Sequence, residues 1–168
     1  ETAPVVGETY DGVIISDVYS DIENLNVRYL TQPWKSVKLG VEKVIFVDYI
    51  KPISTSYWFS EFFKCSYFDV SKLDTSNVTN MESMFYKTGI SISSATPYSI
   101  VGMDGWDTSN VTNMESMFDE AGNGPKVWSI GDLSNWDVSK VTNMERMFAS
   151  AGRFAKVFSI GNLGEWDV

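Results

Sequence analysis

A chain of 168 residues with 43% apolar and 14% aromatic content is long enough for one sizeable core and short for two. Its formal charge of −9, acidic residues outnumbering basic ones both before and within residues 74–168, argues against a phosphate-backbone partner. No histidine is present, which removes the commonest general base and zinc ligand, and the single cysteine, Cys65, excludes an internal disulfide.

The first residues, Glu1-Thr2-Ala3-Pro4, lack a charged-then-apolar signal segment, so a secretion signal is expected to have been removed or to lie outside this sequence. No stretch approaches the 18 uncharged apolar residues of a membrane span, and no basic run suits an anionic bilayer, so direct membrane insertion is not expected. Residues 1–49 differ in texture from the rest of the chain. Tyr10 to Ile15 and Val44 to Val47 predict strands, and Pro33-Trp34-Lys35-Ser36-Val37 predicts a short helix with proline in its first turn. This stretch is expected to cap an array. Residues 50–73 read as a degenerate first repeat, Phe59 to Phe63 set against Met81 to Phe85, with Phe68 to Leu73 as its strand and Leu73 in the place of a tryptophan. Cys65, beside Tyr67 and Phe68, reads as a small buried apolar residue.

From residue 74 the chain repeats. Asp74 to Phe85 recurs unchanged at Asp107 to Phe118, and nine of its twelve residues recur at Asp137 to Phe148, giving repeats 74–106, 107–136 and 137–166. Asp167-Val168 opens what is expected to be a further, truncated copy. A fixed period of this size is the signature of a solenoid. Thr79, Thr112 and Thr142 each begin Thr-Asn-Met-Glu, a capping-box pattern that predicts a short helix, ended by Gly89, Gly122 and Gly152. Val111, Met114, Met117, Phe118 and Ala121 would form its buried face. Tyr98-Ser99-Ile100, Trp128-Ser129-Ile130 and Phe158-Ser159-Ile160 predict one strand per repeat, their aromatic residues facing the core. Trp106, Trp136 and Trp166 should stack in one column, and Asn80, Asn113 and Asn143 in another.

The runs WDTSNVTNMESMF and IGDLSNWDVSKVTNMERMF resemble the BspA-like family of bacterial surface proteins, a leucine-rich-repeat relative with a W-D-x-S-x-V-x-N-M-x-x-M-F core. The likeness is strongest over residues 74–168, and the order strand, Pro-Trp helix, strand near the amino terminus is similar too. The repeats here are longer than the shorter members' turns, chiefly through residues 86–97. The fold expected is therefore α/β: a right-handed leucine-rich-repeat-like solenoid with one short helix and one parallel strand per ~30-residue repeat, behind an N-terminal cap. The resemblance implies a secreted or cell-surface location and an adhesive role toward a host or matrix protein or glycan.

The recurring carboxylates, Asp74, Asp107 and Asp137 in the turns and Glu82, Glu115 and Glu145 in the capping pattern, point to structure, since an active site needs its residues once. No catalytic residue, cofactor or metal is expected. A carboxylate-based glycoside hydrolase is a remote alternative, because Asp119 and Glu120 are adjacent and do not face one another on a helix. A calcium row along Asp107, Asp137 and Asp167 lacks the calcium-loop spacing, and aspartate turns account for it. Asn77-Val78-Thr79 and Asn110-Val111-Thr112 match glycosylation sequons by pattern alone. Two readings stand: a non-catalytic binding module, and a spacer or stalk within a larger envelope protein. For the first, the outward sheet face around Ser129, Asp132, Ser159 and Asn162 is the expected contact surface. Gly102, Asp132 and Asn162 differ between repeats beside the fixed Ser99, Ser129 and Ser159.

Overall fold

A computed structural model describes residues 9–10, 13–14, 34 and 36–167. Two short strands, β1 (Thr9–Tyr10) and β2 (Val13–Ile14), pair antiparallel. Most of the expected cap, including residues 15–33, lies outside the described residues. Residues 36–40 form turns rather than the expected helix, closed by the amides of Val37 and Lys38 on the Trp34 carbonyl.

Five strands then stack in one parallel sheet in the order β3 (Lys43–Ile45), β4 (Tyr67–Asp69), β5 (Tyr98–Val101), β6 (Val127–Ser129), β7 (Val157–Ser159). Segment 43–45, expected as cap, is thus the first rung of the array. The register aligns Tyr67 with Ser99, Ser99 with Ser129, and Ser129 with Ser159, so every copy enters the sheet in the same phase.

The wall opposite the sheet is not helical. Apart from a 3-10 turn at Met103–Gly105, the described residues hold no helix, and the segments expected as helices are runs of overlapping tight turns. In the second copy the amides of Met117, Asp119 and Ala121 donate to the carbonyls of Met114, Ser116 and Phe118, each three residues back. The amides between them point away. Those of Met114, Ser116, Phe118 and Glu120 donate to Asn143, Glu145, Met147 and Ala149 of the next copy, as those of Met81, Ser83, Phe85 and Lys87 do to Asn113, Glu115, Met117 and Asp119.

Two competing satisfactions of the same amides decide this outcome. A helix of nine or ten residues is marginal alone. An identical neighbour offers carbonyls in register, so alternate amides bond between copies and the rest close local turns. The expected capping boxes do not form. Instead Asn80, Asn113 and Asn143 accept, through Oδ1, the amides of Glu82, Glu115 and Glu145, an Asx turn that starts each run. The hydroxyls of Thr112 and Thr142 donate to the carbonyls of Thr79 and Thr112 one copy back.

The turns demand a left-handed residue at every fourth position: Tyr57 and Glu61, Ser83 and Lys87, Ser116 and Glu120, Arg146 and Ser150 all have positive φ. Such a conformation costs a non-glycine residue roughly 1 to 2 kcal/mol. Each copy has two, set in the inner copies against several fully buried side chains worth roughly 1.5 to 3 kcal/mol apiece, so burial wins there. Gly122 ends one run at φ 55, where a Cβ would fall on the Trp128 and Tyr98 rings.

Between the walls, residues one copy apart stack. Phe85, Phe118 and Phe148 lie parallel, with centroids 5.5 and 5.3 Å apart. Tyr98, Trp128 and Phe158 do so behind the sheet, at 6.2 and 4.4 Å. Trp106, Trp136 and Trp166 form a third column, at 5.9 and 6.2 Å. Each indole of this column donates to a carbonyl of the previous copy: Trp106 to Val70, Trp136 to Met103, Trp166 to Leu133.

The first repeat is phased differently from the sequence alignment. Its turns run from Thr55 to Trp58 and from Phe59 to Phe62, which sets Phe59 against Phe85, not Met81; the aromatic run is shifted by four residues, one turn pair. Trp34 covers this end, packing on Trp58 and Phe59 with its indole donating to the Trp58 carbonyl. Leu73 closes the same three-residue turn on Val70 that Trp106 closes on Met103, and so stands where later copies have tryptophan.

Candidate binding surface

Recurring polar side chains are largely consumed between copies. Asn113 and Asn143 donate their amide nitrogens to the carboxylates of Glu82 and Glu115, at 3.4 and 2.8 Å, so asparagine and glutamate form one continuous ladder. Tyr57 extends it by donating to Glu82, and burial together with that carboxylate pushes its phenol up to about 12. Thr75 and Thr108 donate to the carbonyls of Asp107 and Asp137. Asp119, buried, is held by Arg146 at 2.9 Å, and Glu120 faces Lys87 at 3.5 Å, so the two adjacent carboxylates are engaged with different cations.

The aspartates at each copy's start shape turns. Asp74, Asp107 and Asp137 accept the amides of Ser76, Ser109 and Ser139. Hydrogen bonds from the Ser76 hydroxyl and then Lys51 hold Asp74 down to about 2; the serine hydroxyl and amide lower Asp107 and Asp137 likewise. Among the described residues no three His, Cys, Asp or Glu side chains lie together as a metal site. Cys65 is buried, its thiol donating to the Tyr67 carbonyl, and burial pushes it far above the ordinary thiol range, which makes it inert.

The outward face of the sheet is less committed. Strand alternation turns Phe68, Tyr98, Ile100, Trp128 and Ile130 inward and leaves Lys43, Tyr67, Ser99, Ser129 and Ser159 as one row outside. The hydroxyls of Ser99, Ser129 and Ser159 have no hydrogen-bond partner among the described residues. Val101, Val127 and Val157 lie exposed beside them.

Two of the four residues expected there are elsewhere. Asp132 and Asn162 follow the strands, and each accepts an amide two residues on, from Ser134 and Gly164. Asp132 also packs over Gly161, where a Cβ would collide with its carboxylate. Asp and Asn both close an Asx turn and so exchange between these two copies, while Gly102 at the same position of the earlier copy turns the chain through a positive φ instead.

Stacked turns facing a parallel sheet, bound rung to rung by backbone and side-chain ladders, define a non-helical repeat solenoid. The family model described as Mycoplasma protein of unknown function, DUF285, matches residues 53–168, and the chain belongs to that family. The match begins beside Ser54, the residue that pairs with Asn80 to start the turn wall. Comparisons with curated proteins and with solved structures find no match. No helix among the described residues is long and apolar enough to cross a membrane.

Proposed function

We propose that the chain is a non-catalytic binding module of the bacterial cell surface, in which the ladders keep the array rigid and the outward sheet face meets a host or matrix protein or glycan. The observation that carries this reading is the contrast in commitment: the recurring asparagines, glutamates and threonines are tied between copies, while the row Ser99, Ser129, Ser159 presents free hydroxyls beside exposed valines. Small hydroxyls with flanking apolar groups suit adaptable hydrogen bonding to a polar partner. The likeness of the repeats to BspA-like surface proteins supports the location and the adhesive role.

A spacer or stalk is the second reading, favoured by the same ladders, which would also suit a rod with no ligand of its own. Introducing lysine at Ser129 and Ser159 separates the two, because a change on an outward strand face leaves stability within roughly 0.5 kcal/mol. With a binding module, capture of matrix proteins or glycans on an array falls for the folded double variant. A wild-type chain that captures nothing sinks the binding reading and leaves the spacer.

A further inference from the structure

We propose that the loops entering the sheet form a basic ledge that takes an acidic glycan, a polysaccharide bearing sulfate or carboxylate groups; this rests on the surface-binding reading and names its ligand. Segments 62–66, 88–97, 121–127 and 151–157 carry the chain from the turn wall into β4, β5, β6 and β7. They contain no aspartate or glutamate in a chain of charge −9, and they hold Lys64, Lys126, Arg153 and Lys156, all exposed. The loops lie side by side. The Ser91 amide donates to Phe63, Lys126 to Ser94, and Lys156 to Lys126, at 2.9, 3.2 and 2.7 Å.

What distinguishes the four cations is their setting in loops free of acid, since Lys43, Lys72 and Lys140 elsewhere also lack a carboxylate partner. Lys38, Lys51, Lys87 and Arg146 each pair with a carboxylate, whereas no carboxylate among the described residues reaches the ledge residues. Acids stand at its borders: Glu61 and Glu120, directly before segments 62–66 and 121–127 and engaged with Lys38 and Lys87, and Glu42, whose carbonyl accepts the Ser66 amide. Lys126 neighbours the rung of Arg153 and Lys156, while Lys64 stands two rungs from Lys126 because segment 88–97 carries no cation. Unpaired like charges so placed repel one another, and an anion relieves that repulsion. At about 4.8 Å per rung, four loops span roughly 15 Å, which suits a short stretch of charged polymer.

Neighbouring groups favour a sugar over other polyanions. Ser91, Ser93, Ser94 and Thr96 expose hydroxyls between the cations, and Phe154 is exposed with the Arg153 guanidinium 5.5 Å from its ring centroid. That pair offers a flat apolar face to the C–H side of a sugar ring and a charged fork to its sulfate or carboxylate. A long phosphate backbone would run on from this narrow ledge over acidic surface. A bilayer would require several apolar anchors, not one ring.

The test measures binding of the full chain to a size-defined heparin oligosaccharide, with a neutral oligosaccharide, single-stranded DNA and anionic phospholipid vesicles as comparisons. Binding to the sulfated sugar is expected, weakening as salt rises. The quadruple variant K64Q, K126Q, R153Q and K156Q, with an unchanged circular dichroism spectrum, is expected to lose about tenfold or more in affinity. Lys140→Gln, at an exposed lysine outside these loops, should change it by less than about twofold. Equal binding by the quadruple variant, or preference for DNA or vesicles, overturns the proposal. Capture of matrix proteins without binding any acidic glycan overturns it and leaves the adhesion reading intact; binding of neither overturns both.

Discussion

The turn wall stacks four runs and the sheet five strands with the same period, yet they divide labour unequally. The wall places two left-handed residues in every copy and ties asparagine, glutamate and threonine into ladders. The sheet asks only three or four extended residues per copy and leaves its outer hydroxyls unengaged. Strain and side-chain commitment therefore concentrate where the repeat is most nearly invariant, and chemical freedom lies on the other side. A residue's recurrence in this chain marks bonding between copies more than contact with a partner.

Breaking the wall should be costly. Phe118 is fully buried between Phe85 and Phe148, and Phe118→Ala is expected to lose about 3 to 5 kcal/mol in urea unfolding, because a cavity in a stacked column collapses poorly. A loss below about 1 kcal/mol would mean that the column adapts and that the wall is no more demanding than the sheet.

A smaller effect is expected from Asn113→Asp. This change keeps the acceptor for the Glu115 amide while replacing the amide nitrogen that faces Glu82, so a carboxylate meets a carboxylate. The loss should be about 1 to 2 kcal/mol at neutral pH and should shrink in acid. Equal stability of the variant at both pH values would show that the side-chain ladder contributes nothing beyond the turn.

Ser116→Gly sharpens the comparison in the opposite direction. With φ at 52, glycine relieves the left-handed conformation, and the gain should be about 0.5 to 1 kcal/mol by thermal unfolding after its greater freedom in the unfolded chain is offset. A drop in stability would place the stabilising role in the serine side chain itself.

The smallest effect belongs to the aspartate turns. Asp74, held down to about 2, and Asp107 and Asp137, lowered in the same direction, bind fewer protons folded than unfolded once pH falls into the carboxylate range, so they add stability above the unfolded pKa that is lost as pH falls through the folded one. All three are substantially solvated, which keeps the contribution modest. Urea midpoints taken from pH 5 to pH 2 should decline, and Ser76→Ala should flatten the decline; an unchanged slope would remove the Ser76 hydrogen bond as its cause.

Several of these features are readable in the chain alone. The period gives the three regular copies, Tyr98-Ser99-Ile100 and its equivalents give their strands and phase, and the tryptophan column follows from equal spacing, whereas the rung at 43–45 and the phase of residues 50–73 lie where the period is lost. The wall is not legible in the same way, because the spacing of Val111, Met114, Met117, Phe118 and Ala121 is shared by two structures. A helix brings positions three and four apart onto one face, and so do consecutive tight turns whose corner residues point inward. Thr-Asn-Met-Glu carries the same ambiguity, since both Thr and Asn can start a helix or a turn.

On the face proposed for contact, the outward placement of Ser129 and Ser159 follows from strand alternation, whereas Asp132 and Asn162 lie past the strands and close Asx turns, which the sequence pattern does not separate from strand positions. The basic ledge leaves no local trace. Lys64, Lys126 and Lys156 lie 30 or more residues apart, and no window of sequence contains them together.

The rungs that join one copy to the next have a mechanical consequence. Their hydrogen bonds run along the stacking direction, so tension applied between the two ends loads them one copy at a time instead of shearing many together. The array should peel from an end, each copy of about 30 residues lengthening the chain by roughly 100 Å as it lets go. Single-molecule pulling would register a sawtooth of that step, or a single cooperative rupture if the aromatic columns bind the copies into one unit. A molecule that yields in such steps lengthens under load while its remaining copies stay folded, as a spring does and a rigid rod does not.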